Sequence, residues 1–324
     1  MSSLPKIRIT RVKDKPLLDL SAVPWANRRK TIMVPTVLDM SRYTIESLDR
    51  FYMYYAPHHS KGIGLATSPH PEGPWTPYKE NPIITLDQFP GIKGHISALE
   101  MTCLKDKGIF LCYPHGSGLK SGQDTVIGSS KDGITFEAIS DAPILSSDPS
   151  CKWEQRGASY LRVFEYKDTI YGIFKSEKMH GLVKSKDGIH WEYWPRNPLI
   201  EPLAEEKEYD RIRHTSVIIV DDVLFMFYST YTKSDLSCES IKLATCTLTD
   251  NWKNWGKLKR WKEVFTPELD WEENNVRDPF LLKYGDIVYM YYVGGNEKGI
   301  ALAKTDYRLL EEYANIINTE LQEE

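Results

Sequence analysis

Residues 287–303 read IVYMYYVGGNEKGIALA. An apolar, aromatic run of strand length meets a Gly-rich break and is followed by a second short run, the pattern of a β-hairpin. Residues 51–66, FYMYYAPHHSKGIGLA, repeat the same sentence. Looser copies are IFLCYPHGSG (109–118) with DTVIGSS (124–130), TIYGIFKSEKMHGLVKS (169–185) and VLFMFYSTYTKSDLSCESIKLAT (223–245). Each is preceded by another apolar strand ending at a polar turn: TIMVPTVLDM, SALEMTCLKDKG, ASYLRVFEYKD, RHTSVIIVDD and VRDPFLLKYGD. Four are followed by a turn with an aromatic residue: SPHPEGPWTPY (68–78), SKDGITFEAI (130–139), SKDGIHWEYW (185–194) and TDNWKNWGKL (249–258).

Strand, hairpin, strand, turn and strand, recurring every roughly 55–65 residues, is the blade of a propeller. Five copies use up the 324 residues. The expected fold is all-β, a five-bladed β-propeller in a single domain with a short C-terminal helix. Its blades span about 31–90, 91–150, 151–205, 206–268 and 269–306. The last copy lacks an outer strand, which KIRITRV (6–12) is placed to supply from the other terminus. Such closure removes exposed sheet edges. Within 307–321, Leu309, Leu310, Tyr313, Ile316, Ile317 and Leu321 recur at helical spacing. That stripe is expected to dock on its own propeller or on a partner.

Composition narrows the function. The 19 Tyr, 9 Trp and 10 Phe suit both a pleated aromatic core and stacking on sugar rings. A net charge of −4 offers no field for a nucleic acid. No uncharged run approaches the ~20 residues of a membrane span. The N-terminus, MSSLPKIRITRVKDKP, has no apolar signal core, so the chain is expected in the cytoplasm. Cys103, Cys112, Cys151, Cys238 and Cys246 form no CxxC pair and read as free thiols.

These features resemble the five-bladed glycosidase superfamily of glycoside hydrolase families 43, 32, 62, 68 and 117, as a divergent, family 43-like member. Arg277-Asp278-Pro279 opening a strand, the SKDGIxW turns and the YMYY…GIALA repeat carry the likeness. It implies hydrolysis of an oligo- or polysaccharide by carboxylates in a central funnel and no organic cofactor. It also implies a possible calcium or other divalent ion near the axis, for which no protein ligands are assigned.

Aligning the copies on their second strands predicts which residues meet in the funnel. Asp278, Glu100 and His214 each lie nine residues before that strand, in blades 5, 2 and 4. Tyr160 and Val34 hold the position in blades 3 and 1. Asp278 matches the RDP aspartate of the family and is expected to act as base, nucleophile or stabiliser, with Glu100 as partner and Glu177 as general acid. Val34-Pro35 stands where relatives carry Asp-Pro, so one expected carboxylate is missing; Asp39, further along, is expected to face elsewhere. The return loops APHHSKG, YPHGSG, KSEKMHG, TYTKSDLS and VGGNEKG cluster His58, His59, His115 and His180 with His214. With Tyr231, Tyr160, Arg213, Arg277, Arg156 and Lys175, these are the expected substrate contacts. A polysaccharide lyase using His, Tyr and Arg on a uronate, and a carbohydrate-binding propeller without turnover, are the alternatives.

Overall fold

The computed structural model describes residues 7–26, 30–104, 108–118, 122–147, 153, 157–202, 211–231 and 238–320. Five antiparallel sheets succeed one another along the chain. Their innermost strands are Met33–Asp39, Ile96–Leu104, Ser159–Tyr166, Thr215–Val220 and Val276–Tyr284. Each touches the next, and the fifth touches the first, so the sheets close into a ring. This is the five-bladed propeller.

Each blade lies between two neighbours, so both faces of its middle strands are covered. That is why Phe51–Ala56 is buried at every position and lacks the polar alternation of a one-sided sheet. The tyrosines of these runs also tie blade to blade. Tyr54 donates to the carbonyl of Gly133 at 2.8 Å, and Tyr113 to that of Gly188 at 3.0 Å. Both acceptors sit in the SKDG turns, where Asp132 and Asp187 each accept two backbone N–H groups just downstream. Gly133 and Gly188 have φ of 74°, and a β-carbon there would meet the incoming tyrosine hydroxyl at 2.8 and 2.6 Å. Glycine is required at both turns.

The N-terminal segment supplies the missing strand. Thr10–Arg11 pairs with the third strand of blade 5, Arg11 lying opposite Ala303. Arg11 grips Glu272 with two hydrogen bonds of 2.7 Å and stacks over Phe265 of blade 4. The helix Tyr307–Glu320 docks on its own propeller, with Leu310, Tyr313, Ala314 and Ile317 packed among Val220, Val223 and Val288 of blades 4 and 5. Leu321 lies outside the described residues. Cys112 and Cys246 are buried free thiols; Cys151 is also outside the described residues.

Candidate active site

In four blades the innermost strand breaks register near its axial end, between Met33 and Thr36, Ser97 and Glu100, Ser159 and Arg162, and Arg277 and Phe280. Each break carries one residue at positive φ: Val34 (49°), Ala98 (48°), Tyr160 (52°) and Asp278 (51°). A bulge re-aims one side chain out of the pleat. A β-branched valine at positive φ is a true outlier, held there by its surroundings. Blade 4 keeps continuous register from Thr215 and Tyr228 outward.

The bulges correct one expectation. Ala98, not Glu100, is the blade 2 counterpart of Asp278. The hairpin after the inner strand of blade 2 spans four residues, since Leu104 pairs with Ile109; in blade 5 it spans two, since Tyr284 pairs with Ile287. Counting back from the second strand therefore misplaces blade 2 by two residues. The cross-strand tyrosines give the true alignment: Thr36, Glu100 and Phe280 lie opposite Tyr54, Tyr113 and Tyr291. Arg162 holds the same place in blade 3, opposite Ile173.

Two layers result. In the inner one, Arg162 donates to Glu100 at 2.9 Å and to Thr36 Oγ1 at 2.8 Å, reaching the Thr215 carbonyl of blade 4 at 2.9 Å. This pair is almost wholly buried and ties four blades together. Burial raises the Glu100 carboxyl, with Arg162 opposing.

The second layer centres on Asp278. His214 Nδ1 pairs with its Oδ1, Arg277 Nε lies 3.1 Å from the same oxygen, and the Val34 amide points at Oδ2 from 3.3 Å. Burial opposes ionisation, yet Arg277 and His214 outweigh it and hold Asp278 well below the usual carboxylate range. Burial also pushes His214 down to about 3, despite the opposing pull of Asp278. The imidazole is thus neutral at pH 7, and with Nδ1–H assigned to the aspartate, Nε2 carries the lone pair.

Arg277 is itself enclosed by carboxylates: Nη1 lies 3.2 Å from Glu297 and 3.5 Å from Glu239. His58 Nδ1 reaches Glu297 at 2.9 Å, and Arg213 Nε lies 3.4 Å from Glu239. Glu239 lies just beyond the return loop TYTKSDLS and Glu297 within VGGNEKG, the two return loops that carry no histidine. A calcium-type ion does not fit this axis. The Arg277 guanidinium already occupies the space between three carboxylates, and among the described residues no three His, Cys, Asp or Glu side chains gather as a metal site.

Above this layer, aromatic rings form an arc. Tyr160 lies 4.2 Å from His214 and 4.0 Å from His115, and the contacts continue through His95, His59 and His58. His115 and His180 are fully buried rather than exposed at the rim, and burial holds both far below the usual histidine value. Beside the arc opens a cavity of about 350 Å³, lined in part by Tyr160, Lys175, Glu177, Arg213 and His214. Arg213 also contacts the Tyr231 hydroxyl. Asp39 serves locally, accepting from Ser41 and pairing with Arg50. Arg156 and residues 232–237 of the blade 4 return loop lie outside the described residues.

The family profile for the glycosyl hydrolases family 32 N-terminal domain matches residues 148–307. A glycosyl hydrolase from Bacteroides ovatus superposes with a TM-score of 0.68 at 12% identity, covering 94% of this chain and 95% of that one. The GH43_1 enzyme from Xanthomonas citri, complexed with xylotriose, superposes at 0.61 with 12% identity, covering 92% and 90%. The fold is the glycoside hydrolase type of five-bladed propeller. The glycosidase-type propeller is not tied to one reaction. An N-acetylgalactosamine deacetylase from F. plautii, in complex with blood group B trisaccharide, superposes at 0.62 with 13% identity, covering 96% and 98%. Among curated proteins, the uncharacterized protein R118 of Acanthamoeba polyphaga mimivirus is 24% identical over 290 residues, 78% of this chain and 76% of its own length.

Proposed function

We propose that this propeller hydrolyses a glycosidic bond of an oligo- or polysaccharide bound in the cavity above Asp278. One observation carries the reading: an ionised, bulge-held aspartate is paired to a neutral histidine that opens on a cavity containing a second carboxylate, Glu177. In the proposed step Glu177 gives its proton to the leaving oxygen while water attacks the anomeric carbon. His214 Nε2 takes the water's proton, and Asp278 offsets the positive charge that develops on the imidazolium and the sugar ring. Glu100, ion-paired to Arg162 in the inner layer, acts by tying the blades together.

Asp278→Asn is expected to cut turnover by about a hundredfold or more, the scale of a lost electrostatic or acid–base group. Glu177→Gln is expected to lose as much on natural glycans yet keep most activity on aryl glycosides, whose leaving groups need no proton. Unchanged rates for both variants, with unchanged melting temperatures, remove the assignment.

A further inference from the structure

We propose that the cavity beside His214 accepts an acidic sugar, its carboxylate held by Lys175 and Arg213. This rests on the carbohydrate reading above and specifies the substrate class for the same site. The chain as a whole is acidic, with a net charge of −4, yet among the described residues this cavity is lined by Lys175, Lys178, Arg211 and Arg213 and by one carboxylate, Glu177, while Arg213 also has Glu239 3.4 Å from its Nε. Arg277 does not add to that excess, because Asp278, Glu239 and Glu297 surround it.

Lys175 is the decisive group. It lies across the blade 3 hairpin from Ser159, the residue before the Tyr160 bulge, so the register itself delivers it to the cavity. Its ammonium stands 5.8 Å from the centre of the Tyr160 ring, and among the described residues no carboxylate lies within ion-pair distance of it. Burial, and then Arg213, lower it to about 8, while Glu177 pulls the other way. A buried ammonium with no direct ion pair among the described residues is costly, and an anionic ligand supplies a close counter-charge. Arg213 offers the planar fork that suits a carboxylate.

The test is calorimetric titration of the full chain with D-galacturonate, D-galactose and inorganic phosphate, at low and at high salt. Galacturonate is expected to bind about tenfold or more tighter than galactose at low salt, the scale of a hydrogen bond to a charged group. The difference is expected to shrink with salt and to vanish in Lys175→Met. Equal binding of galacturonate and galactose overturns the acid preference and leaves the carbohydrate reading standing. Phosphate binding as tight as galacturonate, with galactose silent, overturns the proposal in favour of a bare anion site. Binding of neither sugar removes the proposal together with the carbohydrate reading.

Discussion

At the scale of single residues, the fold buries charge and proton-binding groups in unequal company. Asp278 and Arg277 are fixed in opposite charge states by each other, whereas His95, His115, His180 and His214 are kept neutral by burial. This has a consequence for acid stability. An unfolded histidine takes up a proton below about 6.5. The folded chain resists this until about 4 at His95 and about 3 at His214. Below 6.5 the unfolded state therefore binds more protons, so stability is fully present above that pH and falls as the solution is acidified. Each such histidine costs about 1.4 kcal/mol per pH unit once unfolded protonation is under way. Denaturation midpoints are expected to drop between pH 6.5 and 5, above the range where carboxylates protonate, and the slope is expected to be shallower in His180→Gln. A flat profile over that interval contradicts the buried-neutral assignment. Which histidines cluster was visible in the return loops, but their burial was not. Sequence marks the turn, while the next blade decides whether the ring is covered.

Among the elements, the strands were readable because aromatic and β-branched runs of strand length recur with Gly-marked turns. The bulges were not. Val34, Ala98, Tyr160 and Asp278 share a positive-φ conformation that only the aspartate tolerates readily, so no common residue type announces it. The hairpin of blade 2, two residues longer than that of blade 5, moved Glu100 falsely into register with Asp278. Anchoring on Tyr54, Tyr113 and Tyr291 avoids the error, because those positions face neighbouring blades and are fixed by packing. The same reasoning gives these tyrosines a measurable weight. Tyr113→Phe leaves the buried Gly188 carbonyl without its partner and is expected to cost about 1–3 kcal/mol. Urea denaturation reads the loss; no change in midpoint contradicts the inter-blade link.

Across the whole molecule, the ring holds only if its first and last strands meet, and Arg11 joins them to the turn between blades 4 and 5. Arg11→Ala removes the counter-charge of the fully buried Glu272 carboxylate, leaving it the hydrogen bonds from Tyr292 and the Glu268 and Leu269 amides, and is expected to cost about 3 kcal/mol, read as a lower unfolding midpoint. Wild-type stability in that variant contradicts the closure argument. Closure also gives the site its meaning, since Asp278 and His214 come from different blades and Glu177 from a third. The most direct measurement follows the bond itself. The chain is incubated with a panel of neutral and uronate-containing glycans in heavy-oxygen water, and the products are weighed by mass spectrometry. Hydrolysis predicts saturated fragments with one heavy oxygen at each new reducing end, and their disappearance with Asp278→Asn. Unsaturated fragments lacking the label, no cleavage of any glycan, or undiminished cleavage by Asp278→Asn would contradict the account.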